Sequence, residues 1–297
     1  MKKTVLAASA ALIAFVTPAS AADYDRELGL IVSGVVDQWA GVQIIDSSFP
    51  VAGDDTLFVN GGEGRLSLPL GENLSIQSDV KYEYNSYALE DPTDNDVIGP
   101  RFSYQGAVHL SWRDPSRGLF GVFGGAGSSD FGGLRTEAHF VGGEAQVYLD
   151  NITLYGQGGF VNFDTQSPIA FGLDDGFFAR GVFRWFMDNG SRLQLQGTYL
   201  KADFNVIAGE MEAFSVGARY DFNIAMPIIG DTPIYVGYRG TFRDNCTVFG
   251  DIDDHTIMIG TSYSFSGDRI SVDRRGTTLD TPDFNYSCSQ ETGGFNF

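Results

Sequence analysis

Residues 191–200 read Ser-Arg-Leu-Gln-Leu-Gln-Gly-Thr-Tyr-Leu, and their alternation sets how the rest of the chain is read. One parity carries Leu193, Leu195, Gly197 and Tyr199; the other carries Arg192, Gln194, Gln196 and Thr198. Successive side chains of a strand point to opposite faces, so this is a strand with one apolar and one polar face. The same period recurs in 214–222, where Phe214, Val216, Ala218, Tyr220 and Phe222 alternate with Ser215, Arg219 and Asp221. In 234–243 Ile234, Val236, Tyr238 and Phe242 alternate with Tyr235, Arg239, Thr241 and Arg243.

Extending outward from these stretches gives about twelve segments. They cover 28–45, 57–70, 74–87, 100–113, 118–129, 135–149, 152–164, 176–187, 192–204, 212–223, 233–243 and 255–265. Their lengths, roughly 10 to 18 residues, exceed an average globular strand and suit a tilted strand crossing a bilayer. Connections after even-numbered segments are tight, as at Asp114-Pro115-Ser116-Arg117, Asp150-Asn151 and Asp188-Asn189-Gly190. Those after odd ones are longer and acidic: 89–99, 165–175 and 244–254; the even connection 224–232 is the exception. Short turns at one end and long loops at the other are how an up-and-down transmembrane barrel is built. The expected fold is all-β: an antiparallel up-and-down barrel of about twelve strands with a C-terminal extension.

Composition agrees. The chain has 297 residues, with 38 Gly, 24 Phe and 13 Tyr but only 19% charged residues, which suits a sheet whose outside is not water. Its formal charge of −19 argues against nucleic-acid binding, which draws its affinity from Lys and Arg on phosphates. Met1-Lys2-Lys3, the apolar run 4–16 and the small residues Pro18-Ala19-Ser20-Ala21-Ala22 form the n-region, h-region and cleavage site of a secretory signal peptide. The expected organisation is therefore a cleaved signal at 1–21, a barrel over 22–266 and a tail over 267–297, periplasmic or plugging the lumen.

Aromatics gather where the even-numbered segments end. Trp112, Tyr148, Trp185, Phe222 and Phe265 all fall beside the short turns, the place of an interfacial girdle. The last segment, Met258-Ile259-Gly260-Thr261-Ser262-Tyr263-Ser264-Phe265, resembles the closing-strand assembly signal of porin-like bacterial outer-membrane β-barrels, with Gly260, Tyr263 and Phe265 as its elements. Met258 stands where that pattern has a polar residue, and the chain continues past Phe265 where such proteins end. The resemblance implies a place in the outer membrane of a Gram-negative envelope. It also implies contact with outer-membrane lipid and lipopolysaccharide, and handling by a barrel-assembly machinery. It names no member of that superfamily. A fourteen-strand alternative would make 268–274 and 284–297 strands, but Asp273-Arg274-Arg275 and Glu291-Thr292-Gly293-Gly294 give no sustained apolar face.

Function is read from the polar parity, which should line the lumen. It carries Arg65, Lys81, Arg101, Arg180, Arg184, Arg192, Arg219, Arg239 and Arg243 against Glu63, Asp79, Glu83, Glu144 and Asp221. A mildly basic interior favours anions. Twelve strands lie between the filled interior of eight and the aqueous channel of sixteen. Two readings follow: a narrow passive pore for small polar or anionic solutes, or a closed scaffold or adhesin acting through acidic loops. Apolar residues in those loops, Phe49-Pro50-Val51, Pro168-Ile169-Ala170-Phe171 and Val248-Phe249, could meet a partner or form a constriction. A remote third reading is a lipid hydrolase, because His109-Leu110-Ser111 places His and Ser on one face, although Trp112 replaces the Asn expected after the Ser. No catalytic residue, cofactor or metal is expected otherwise. Asp251-Ile252-Asp253-Asp254 reads as a solvated acidic loop, and the Gly-rich 121–127 lacks the Lys-Ser/Thr ending of a phosphate cradle.

Cys246 belongs to an outer loop and Cys288 to the tail. In an oxidising envelope the two can pair. From Phe265 to Cys288 the extended tail spans roughly 75 Å against an apolar band of ~25 Å, so pairing would require the tail to thread the lumen. A threaded, paired tail predicts one cross-linked peptide in a non-reducing map; two free thiols would exclude the pairing.

Overall fold

A computed structural model describes residues 32–47, 55–88, 101–131, 134–165, 173–204, 209–226, 230–247, 250–265 and 267–283. Twelve strands follow one another: β1 (Ser33–Ser47), β2 (Asp55–Pro69), β3 (Leu74–Ala88) and β4 (Arg101–Asp114). Then come β5 (Gly118–Phe131), β6 (Leu134–Leu149), β7 (Ile152–Thr165) and β8 (Leu173–Phe186). The last four are β9 (Arg192–Phe204), β10 (Glu210–Met226), β11 (Gly230–Thr247) and β12 (Gly250–Ser264). Each pairs antiparallel with its chain neighbours, and β12 returns to β1, from Val35 opposite Ser264 to Ser47 opposite Ile252. The sheet is a closed barrel without an edge, so every strand satisfies its backbone groups inside the sheet, as a bilayer demands.

Alternation decides the two faces. Phe160, Ile257, Val80, Phe120 and Val122 point outward and stay between 59% and 71% exposed, an apolar surface that water would not stabilise. Outward aromatics ring both ends. Trp112 stacks on Phe120 at 5.2 Å and Tyr220 on Phe222 at 5.5 Å near the turns. Phe102 and Tyr104, and Phe177 and Tyr199, pair near the loops at 6.0 and 5.9 Å. Trp185, Tyr263 and Phe265 also face out. Tyr148 does not: it is 6% exposed and its hydroxyl donates to Gln146 Oε1. It shares parity with Glu144 and Gln146, so its ring belongs to the lumen and not to the girdle.

The turns have local causes. Asp150, at φ 54°, and Asn151 make a two-residue hairpin connection, where Asp and Asn tolerate the left-handed backbone. The Asp114 side chain accepts from the Ser116 amide at 2.9 Å. The connection at 224–232 is shorter than the alternation suggests, because β10 and β11 pair as far as Met226 opposite Gly230. Similarly, 244–254 is not a free acidic loop: β11 runs to Thr247 and β12 starts at Gly250. Gly260 faces inward where a Cβ would lie 2.4 Å from a ring atom of Tyr235, so the glycine of the assembly signal makes room for an aromatic from β11.

After β12 the chain is not strand. Asp268 caps a short helix, α1 (Arg269–Arg275), by accepting from the Ser271 amide at 2.7 Å. Hydrogen bonds from the Ser271 hydroxyl and amide hold the Asp268 carboxyl below the usual carboxylate range. Gly276 ends the helix against β1, where a Cβ would run into Ser33 Oγ. An extended segment, 277–283, then runs among inward-facing side chains.

The outward face predicts a simple response. Phe160→Arg should destabilise the barrel in lipid by about 2–4 kcal/mol, the cost of Arg on a lipid-facing position near mid-depth, read from urea titration of the folded protein in vesicles.

Candidate functional site

The lumen has two levels of different chemistry. Near the loop ends many inward positions are apolar: Ile45, Leu57, Phe140, Phe163, Phe178, Leu200 and Met211 belong to one cluster that draws on ten of the twelve strands. Leu57, Leu200 and Met211 are wholly buried. Apolar side chains lining an open channel would be wetted; these are not.

Toward the turns the lumen is polar and the tail enters it. Arg184, 1% exposed, donates to Asp273 Oδ1 at 2.7 Å, to the Thr278 carbonyl at 2.9 Å and to Asp280 Oδ2 at 2.6 Å. Thr153 donates to the other Asp273 oxygen at 2.6 Å. Asp280 also pairs with Arg65 at 2.8 Å and Arg180 at 3.2 Å. Arg65 lies on β2 and both Arg180 and Arg184 lie on β8, six strands apart in a ring of twelve, so one tail carboxylate bridges opposite walls. Asp283 joins Lys81 at 2.7 Å to Arg239 at 3.3 Å, and Arg239 pairs with Glu83 at 2.8 Å. Leu279 is fully buried against Leu119, Tyr155 and Val182.

Several wall charges pair with one another. Asp37 takes Arg65 at 2.9 Å and Arg219 at 3.1 Å, while Asp221 takes Arg219 at 2.7 Å and Arg192 at 3.0 Å. Arg219 also stacks on the Tyr235 ring at 3.7 Å. Arg243 pairs with Asp254, and Glu63 lies 3.7 Å from Arg65. His109 bridges Glu144 at 2.9 Å and Asp79 at 3.2 Å. Cavities lie among these side chains, including one of about 170 Å³ lined by Asp37, Arg192, Arg219, Arg239 and Asp280, one of about 660 Å³ at the turn end beside α1, and one of about 30 Å³ between Lys81, Glu83 and Phe163. The first two touch Arg65 and Arg192.

With this geometry the chain can be set beside known proteins. Among solved structures it is similar to an outer-membrane channel of Pseudomonas putida F1, at a TM-score of 0.53 and 12% identity, over 81% of this chain and 98% of that one. The fold is that of a bacterial outer-membrane β-barrel. The β domain of the Bordetella autotransporter BrkA (TM-score 0.44, 14% identity, 79% and 99% covered) and a loop-deletion mutant of Vibrio cholerae OmpT (0.41, 7%, 79% and 99%) are further matches. No family model and no curated protein matches the sequence.

The inward residues read from sequence, Arg65, Lys81, Arg180, Arg184, Arg192, Arg219, Arg239 and Arg243 with Asp79, Glu83 and Glu144, all take part in this interior. The side chain of Arg101, that of Cys246, and all of Cys288 lie outside the described residues, and so does the pairing of the two cysteines. Parity alone missed Asp37 and Asp254, which share faces with apolar Val35, Trp39 and Ile252. It also missed Arg113, which shares the face of His109 and donates to the Gly276 carbonyl at 2.6 Å. Ser111 and His109 do not form a nucleophile and base: the serine hydroxyl meets Ser75 at 2.9 Å, and the imidazole nitrogens face carboxylates. Among the described residues no group of three His, Cys, Asp or Glu could hold a metal ion.

Arg184 is the joint between wall and tail. Arg184→Met should weaken tail docking by about 3–5 kcal/mol, because two buried carboxylates lose a partner. The expected readout is faster proteolysis within 267–283 with the strand circular dichroism unchanged.

Proposed function

We propose that this chain is a closed β-barrel of the bacterial outer membrane that passes no solute in this conformation and acts through the loops held at its outer end. One observation carries the reading: apolar side chains from ten strands pack together near the loops, and the tail with its ion pairs occupies the lumen near the turns. Outer-membrane lipid and lipopolysaccharide are the partners that the apolar belt suits, and the closing strand with Gly260, Tyr263 and Phe265 is what an assembly machinery would engage. The reading involves no catalysis and no cofactor.

A second reading rests on the cavities that share Arg65 and Arg192. Small polar or anionic solutes would meet a wall in which inward Arg and Lys outnumber inward Asp and Glu among the described strand residues, a field suited to anions. Single-channel recording in planar bilayers separates the readings. The full-length protein and a form truncated after Phe265, each showing a heat-modifiable folded band, are expected to be silent. Steady anion-selective steps in the full-length protein would overturn the closed reading, and steps only after truncation would make the tail a gate.

A further inference from the structure

The tail is held as a ligand is held. The bonds described between the wall and residues 276–283 come from wall side chains, and no strand ladder extends to this segment. Gln77 makes a two-point contact with the Leu279 backbone, donating to its carbonyl at 2.7 Å and accepting from its amide at 3.3 Å. Gln157 donates to the Asp280 carbonyl at 2.7 Å and Gln105 to the Pro282 carbonyl at 2.9 Å. Glutamines reading successive backbone groups stand in for a neighbouring strand, which is how an extended peptide is recognised whatever its side chains.

Side-chain selection is separate. Leu279 fills an apolar pocket of Leu119, Tyr155 and Val182 and has no exposed surface. Arg184 holds two carboxylates seven residues apart, Asp273 and Asp280, and Lys81 with Arg239 holds a third, Asp283. An anchored leucine, paired backbone groups and fixed cations make a built site. At the start of this segment Gly267 and Asp268 are exposed.

We propose that the turn-end half of the lumen is a peptide-binding site selective for an extended acidic segment with a leucine anchor, that residues 268–283 are its ligand in cis, and that the segment can be exchanged for another copy supplied in trans. The cations of the wall then serve a ligand, and the site opens to acidic peptides arriving at the turn end whenever the tail leaves. The inference is independent of whether the barrel conducts.

The test starts from the full chain. A protease recognition sequence inserted between Phe265 and Gly267 is cut after folding, in reducing buffer so that no Cys246–Cys288 bond retains the tail. The cut protein is incubated with a fluorescent synthetic peptide of sequence 268–283 and followed by anisotropy and gel filtration. The cut tail should co-elute with the barrel and be replaced saturably by the peptide. Peptides carrying Asp280→Asn or Leu279→Ala should compete at least about 10-fold less well. The proposal is overturned if the tail of a heat-modifiable, native barrel never exchanges. It fails equally if the tail leaves and the peptide is not taken up, or if a scrambled peptide of the same composition exchanges as well.

Discussion

A guanidinium removed from water must find its charge met within reach, and Arg184 sets that condition for the whole turn-end lumen. It is among the most deeply buried side chains of the barrel and faces no carboxylate on the neighbouring strands. The paired residues on either side of it are Thr153 and Gln194, both neutral. Its partners come from the tail, as Asp273 and Asp280. Breaking such a pair leaves an uncompensated charge, which costs more than the pair contributes when intact. The need for counter-charge thus explains why a chain that has already closed its barrel at β12 turns back into its own interior.

The two levels of the lumen solve the same filling problem with different chemistry. A twelve-strand ring encloses more space than the eight-strand ring whose side chains just fill it. Near the loops, Phe123 packs at 6.1 Å from Phe178 and 6.3 Å from Phe140, large rings bringing β5, β6 and β8 together. Glycines opposite these rings make the space: a Cβ at Gly142 would sit 2.7 Å from the Phe123 ring. Near the turns, long Arg side chains reach inward and the tail supplies the acids between them. The high Phe and Gly content is therefore an interior feature as much as a membrane-facing one.

Most of the fold was legible because strand period is a local property. Leu193 to Tyr199 against Arg192 to Thr198 gives the faces of β9 without any knowledge of its neighbours, and the other strands read likewise. The inward cations were legible for the same reason. Tyr148 ends its strand at girdle depth, but its parity with Gln146 turns the ring inward. What parity could not show is where an inward face turns apolar, since Leu200 and Met211 look like lipid-facing residues until the opposite wall is present. Nor could it show the tail's partners: the Asp280 contacts with Arg65, Arg180 and Arg184 join residues far apart in sequence, and no period links them.

The contact between the tail and Ser33 has a mechanical meaning. A barrel made of consecutive hairpins has one junction with no covalent turn to hold it, here β1 against β12. Thr277 donates its amide to Ser33 Oγ at 3.1 Å and shares a hydroxyl contact with it at 3.2 Å, while Phe265 donates to the Gly34 carbonyl at 3.2 Å. The chain that leaves β12 thus comes back to the first residue of β1 and is gripped from inside by Arg184 on the far wall. It works as a clasp across the seam, so that unzipping this junction first requires the clasp to be undone.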